Sequence, residues 1–148
     1  LGHASGHASA GEAAAQDYST RLAALRPRRG RNQPVSVFYQ VWDRPLMTVG
    51  GSHWISDALL LCGARNVFAD LRAAAPVVSR EAVLRRSPEV LVSGSDAPAM
   101  QRQWQRFASL PAVRNHAFVK VDADLLHRPT PRLVAGVAEL CEAVSPYR

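Results

Sequence analysis

The chain has 148 residues, enough for one domain with a proper core and with no need of a metal or several disulfides. Its 47% hydrophobic and 20% charged residues are the composition of a globular protein, and no apolar run approaches the roughly 20 residues of a membrane helix. The formal charge of +6 raises nucleic acid as a partner, but only Arg26, Arg28, Arg29 and Arg31 cluster, in one loop without interleaved aromatics, so no nucleic-acid partner is expected.

The opening LGHASGHASAG is small and polar and offers a core nothing beyond Leu1. His3 and His7 have a spacing that sets two imidazoles on one helix face. Gly2, Gly6 and Gly11 disfavour that helix and no third ligand is in sight, so no metal site is assigned. From Glu12 to Leu25, Tyr18, Leu22 and Leu25 make one face of an amphipathic helix that Pro27 and Gly30 end. Residues 1–33 are therefore read as a frayed start, a connecting helix and a basic loop, and residues 34–148 as one α/β lobe. Because the chain opens on Leu1 rather than Met, it is expected to be a piece of something longer.

Val35–Gln40 is a nearly continuous apolar strand, as suits a parallel sheet covered on both faces. It runs into a loop with Trp42, Asp43 and Arg44. Gly50 and Gly51 then allow a tight turn, and Ser52 is a candidate cap for a helix with Ile55, Leu59 and Cys62 on one stripe, ended by Gly63. An irregular passage follows, with Val67 and Phe68 as core. Ser79 caps a short helix to Arg86 that buries Val83 and Leu84 and carries Glu81 in its first turn.

Glu89–Ser93 reads as the second strand, leading to Gly94, Ser95 and Asp96, and Met100, Trp104 and Phe107 mark the core stripe of the next helix. Phe118–Val121 is the third strand, followed by Asp122, Asp124, His127 and Arg128. Beyond Pro129 and Pro131, Leu133, Val137, Leu140, Cys141 and Val144 mark the closing helix. Strands separated by helices at this spacing predict a Rossmann-like three-layer α/β lobe with a mostly parallel sheet and right-handed crossovers. Cys62 and Cys141 are either two buried thiols or, in an oxidising compartment, one bridge.

In such a sheet the carboxyl ends of the strands share one edge, where ligands bind. That edge collects Trp42, Asp43 and Arg44, then Ser93, Ser95 and Asp96, then Asp124, His127 and Arg128. This is a polar rim with one large aromatic, suited to holding a bulky, partly polar ligand. Asp122, Asp124 and His127 could be metal ligands, and His127 with Asp43 an acid/base pair, as in a small α/β hydrolase or metal enzyme. Arg44 and Arg128 oppose a cation, no nucleophile flanks the histidine, and no Gly-rich phosphate loop, G-x-S-x-G, CxxC or HExxH occurs. No catalytic residue and no metal ligand is assigned, and the chain is not read as an enzyme.

The runs VFYQVWDRPLMTVGG, ISDALLLCGARNVFADL, APVVSREAVLRRSPEVLVSG and DLLHRPTPRLVAGVAELC resemble the C-terminal lobe of periplasmic cobalamin (vitamin B12)-binding proteins, the receptors of ABC importers. The wider group takes iron-siderophores and haem. The resemblance covers about Pro34 to the end, and the helix Glu12 to Leu25 looks like the rigid helix joining two lobes. It implies a periplasmic protein that binds a corrinoid as cargo, uses no cofactor and passes the cargo to a permease. The N-terminal lobe would be missing here, leaving an open cleft side prone to self-association. Val41 and Trp42, with Asp43 and Arg44, would form a cleft wall. Asp124 and Arg128 would reach the corrinoid's amide periphery, with His127 beside them as a further candidate ligand contact, and Glu81 would dock on the permease. Cys62 and Cys141 match a pair that forms a disulfide in the family. Where an aromatic cargo contact is expected before VSRE, this chain has Ala75.

Overall fold

The computed structural model describes residues 34–94, 97–126 and 131–147. The expected connecting helix and basic loop, together with His3, His7, Ser95, Asp96, His127, Arg128 and Pro129, lie outside the described residues. Strand β1 (Val35–Gln40) is followed by β2 (Trp42–Asp43), β3 (Leu46–Met47), α1 (Trp54–Leu61) and β4 (Ala64–Asn66). Then come α2 (Arg80–Arg86), β5 (Val90–Ser93), α3 (Ala97–Trp104), α4 (Pro111–Arg114), β6 (Phe118–Lys120), α5 (Ala123–Leu126), α6 (Leu133–Val144) and a 3-10 turn at Ser145–Tyr147.

The main sheet has the order β4-β1-β5-β6 and every described pair in it is parallel. All six residues of β1 are buried, as a central strand with cover on both faces requires. Side chains alternate across the sheet, so Phe38 and Gln40 face one layer and Tyr39 the other. Phe38 packs edge-on against Trp104 of α3, and Gln40 bonds to the same indole. Burial pushes the Tyr39 phenol well above its ordinary pKa, and the Glu139 carboxylate of α6 on the opposite face adds to that. Helix α6 packs there beside α1. This is the three-layer α/β arrangement predicted from the strand and helix spacing.

Cys62, the residue after α1, is joined to Cys141 of α6 by a disulfide with a Cα–Cα distance of 4.8 Å. Of the two states open to the cysteines from spacing alone, this is the bridge. Gly63 follows at φ 79°, a left-handed conformation that ends the helix with no Cβ to strain.

Local expectations and structure differ at a few places. Ser79 is the N-cap of α2, accepting from the Ala82 N–H. The cap of α1 is His53 rather than Ser52: its Nδ1 accepts from the Ile55 N–H, while the Ser52 hydroxyl donates to the Arg72 carbonyl. β5 and β6 are each one residue shorter than predicted, Leu84 is only half-buried, and α3 ends at Trp104, leaving Phe107 beyond it. The passage after α1 contains the edge strand β4, whose Asn66 ties three segments together. Its Nδ2 donates to the Val49 carbonyl (2.6 Å) and to Ser56 Oγ (2.8 Å), and its Oδ1 accepts from the Phe68 N–H (2.9 Å).

Candidate functional site

The chain leaves β1 toward β4 on one side and later returns to lay β5 on the other. The carboxyl ends of β1 and β5 therefore form a topological switch point, the place where open parallel sheets leave a crevice for ligands. Past Gln40 the chain does not simply loop away. β2 and β3 form a small antiparallel hairpin, with Trp42 opposite Met47 and Asp43 opposite Leu46, turned through Arg44 and Pro45 with a cis peptide between them. Met47 in turn bridges to Val77 in antiparallel fashion.

Residues directly opposite on neighbouring strands present their side chains to one face. Trp42, Met47 and Val77 thus form a row, and Trp42 and Val77 are 56% and 62% exposed. An exposed indole beside a methionine and a valine is an apolar wall for a flat or bulky ligand. The Trp42 Nε1–H donates to the Arg44 carbonyl at 2.9 Å, which fixes the ring against its own turn.

The wall has a firm base. The Val41 N–H donates to the Met47 carbonyl and Val41 itself is half-buried. The Thr48 hydroxyl donates to the Tyr39 carbonyl at 2.7 Å. Gly50 donates to the Ala74 carbonyl and Gly51 to that of Leu71. A Cβ at Gly50 would stand 1.9 Å from the Ala73 carbonyl oxygen, and one at Gly51 would stand 2.1 Å from that of Ala69. Only glycine permits so close a pass, and it holds the irregular segment leading through Ala75 to Val77 beside the hairpin.

Asp124 sits elsewhere on the same edge. With Gly94, Lys120, Val121, Asp122, Ala123 and Glu139 it lines a depression of about 590 Å³ at the ends of β5 and β6. Its floor is braced: the Asp122 N–H donates to Glu139 Oε1 and the Asp124 N–H to Asp122 Oδ1. Among the described lining residues, three carboxylates against one ammonium favour hydrogen-bond donors such as amide N–H groups over anions. Among the described residues no group of three or more His, Cys, Asp and Glu is placed to hold a metal ion.

Asp43 and Arg44, exposed at the hairpin tip, do not open into that depression. They line a separate groove of about 430 Å³ with Arg80, Ala99, Arg102, Gln103 and Arg106. Glu81 is exposed on the first turn of α2, next to Arg80. Ser93, expected on the rim, is buried at the end of β5. Met47, Val77, Lys120, Glu139 and the arginines of α2 and α3 were outside the expected site. The i, i+4 spacing of Arg102 and Arg106 was a visible signal that they share one side, although Arg106 lies in the turn just beyond α3. The partnership of Val77 with Met47 had no local signal at all.

A model of the periplasmic binding protein family matches residues 1–125. Over 144 residues the chain is 40% identical to the vitamin B12-binding protein of Vibrio cholerae, a span of 95% of this chain and 51% of that protein. The crystal structure of the periplasmic vitamin B12-binding protein BtuF of Vibrio cholerae superposes with a TM-score of 0.77 at 40% identity, covering 92% of this chain and 54% of that one. The haem-binding protein HutB of Vibrio cholerae, 18% identical, shares the fold with a TM-score of 0.72 over 97% of this chain and 58% of its own. The chain thus spans about half the length of the relatives it matches. The relatives at 40% identity are described as binding proteins, which gives the hydrolase and metal-enzyme alternatives no support. Their periplasmic setting agrees with the compartment expected from the sequence, and among the described residues no helix is long and apolar enough to cross a membrane. Matched over most of its length by the family model and carrying the parallel three-layer fold of its relatives, the chain belongs to the periplasmic binding protein family.

Proposed function

We propose that residues 34–148 are the C-terminal lobe of a two-lobed receptor for an ABC importer, and that its cargo is a corrinoid such as cobalamin. The observation that carries the cargo assignment is the 40% identity, over 95% of this chain, to a protein named for binding vitamin B12. The geometry supports it. The apolar row of Trp42, Met47 and Val77 suits one face or edge of a macrocycle, and the carboxylate-lined depression around Asp124 suits amide donors on its rim. Val41, Asp43 and Arg44 complete the wall and its tip, with His127 and Arg128 as further polar contacts. The cargo is carried unchanged, so no cofactor and no catalytic residue enter this reading. The other half of the cleft belongs to a second lobe, and the apolar row left open on this lobe alone favours self-association.

The test is calorimetric titration of cyanocobalamin into the receptor carrying both lobes. A one-to-one complex is expected, and Trp42→Ala should weaken it about tenfold, or ~1.4 kcal/mol. No heat and no spectral change with the unsubstituted receptor would remove the corrinoid. Ala75, where the resemblance expects an aromatic contact, favours the second reading, an iron-siderophore or haem as cargo. Haemin in the same titration separates the two.

Delivery to the permease is assigned to Glu81, an exposed carboxylate held at the surface by a capped helix. In vesicles containing the complete importer, Glu81→Ala should lower uptake about tenfold while cargo affinity stays the same. Unchanged uptake would take the docking role from this residue.

A further inference from the structure

We propose that the groove between the hairpin tip, α2 and α3 is a binding site for a small multivalent anion, one carrying at least two carboxylate or phosphate groups. Four guanidinium groups line it, from Arg44 on the hairpin, Arg80 at the start of α2, Arg102 in α3 and Arg106 just beyond it. Among the described lining residues the one carboxylate is that of Asp43.

Among the described residues none of these four guanidiniums is engaged in an ion pair, in contrast to Arg86, which Asp70 grips through both carboxylate oxygens. Like charges converging on one depression repel one another, and among the described lining residues there is one counter-charge for four. A bound multivalent anion relieves that repulsion. Guanidinium is also the cation whose planar pair of N–H donors matches a carboxylate or phosphate edge to edge.

The lining is partly pre-organised. The guanidinium carbons of Arg80 and Arg106 lie 5.9 and 5.0 Å from the centre of the Phe107 ring, so one aromatic side chain positions two of the four cations. Gln103 is held by a 3.0 Å hydrogen bond from Gln40, whose carbonyl accepts from the buried Trp104 indole at 2.8 Å. That wall is therefore bonded to the centre of the sheet. With about 430 Å³ the groove admits a small polyacid and its waters, and its described lining lacks the apolar surface a macrocycle would need. It shares Asp43 and Arg44 with the tip of the proposed cargo wall but lies apart from the apolar row and the acidic depression, and it stands whether or not that assignment does.

The test is isothermal titration of this chain with pyrophosphate and, in parallel, with citrate, at low and at near-physiological salt. One-site binding of at least one of the two is expected, and which of them binds more tightly tells phosphate from carboxylate chemistry. The double variant R102E/R106E should weaken binding at least tenfold, and Arg44→Gln should weaken it several-fold. Both arginines of the double variant are exposed and make no hydrogen bond among the described residues, so a native far-UV circular dichroism spectrum is expected. Arg114→Glu is the control: that arginine is exposed at the end of α4, beside the opposite, amino-terminal edge of β5. The proposal fails if neither anion binds, or if Arg114→Glu weakens binding as much as R102E/R106E, because the attraction would then be that of the +6 chain as a whole.

Discussion

Trp104→Ala should cost about 4 kcal/mol of stability, while Trp104→Phe should cost about 1–2 kcal/mol. The indole is fully buried, with its ring centre 5.8 Å from Phe38 at 71° and 5.7 Å from Phe107. Phe38 continues the stack to Phe68 at 5.9 Å. Alanine opens a cavity in the middle of this cluster and orphans the buried carbonyl of Gln40, which would then be held only through its amide to Gln103. Phenylalanine keeps most of the ring and loses chiefly the hydrogen bond. Urea unfolding followed by circular dichroism measures both. A loss below about 1.5 kcal/mol for the alanine variant, or equal losses for the two, would show that Trp104 is not the keystone of this layer.

Reducing the Cys62–Cys141 bridge should cost a comparable amount. The two cysteines are 79 residues apart, and a loop of that length restricts the unfolded chain by about 4 kcal/mol in the chain-entropy account. Against total stabilities of roughly 5–15 kcal/mol, that leaves the reduced lobe marginal. The bridge joins the end of α1 to α6, so both helices of one layer lose their shared anchor together. The reduced protein and the double variant C62S/C141S should both unfold at lower urea, with a steeper transition because the unfolded chain is free to expand. Unfolding of oxidised and reduced protein at the same urea concentration would mean the bridge adds nothing to stability.

Those two sites also illustrate what a sequence discloses. The layers were legible because β1 and β5 are short apolar runs and α6 repeats its apolar residues at helical spacing, both of which are local properties. The cap at Ser79 was legible for the same reason. β4 was not: Ala64–Asn66 is three residues with an exposed arginine in the middle, and only its pairing with Val35–Val37 makes it a strand. The cap of α1 moved one residue because an imidazole nitrogen can accept from the helix N–H as a hydroxyl can, leaving Ser52 to bond to Arg72.

The candidate site divides along the same line. Trp42 was visible as an aromatic at a strand end. Its neighbours Met47 and Val77 are set by one hairpin register and one long-range bridge, neither of which has a period to detect. Asp43 and Arg44 read as contacts of the same wall, yet the turn carries them to the arginines of α2 and α3. Which face of a helix a distant hairpin meets is decided by tertiary packing, and the helix's own residues do not state it.

The three tryptophans occupy three different environments. Trp42 is largely open to water, Trp54 is half-buried with its Nε1–H on the Leu126 carbonyl at the end of α5, and Trp104 is sealed in the core. The chain therefore carries its own optical reporters. Emission from Trp104 should be blue-shifted and should move to the red only when the sheet comes apart. Trp42 should emit near the wavelength of tryptophan in water and be the one most strongly quenched under the proposal that a light-absorbing macrocycle packs on the hairpin, and Trp54 should respond to movement of α5. Single-tryptophan variants would let one fluorimeter follow the wall, the α5 end and the core separately.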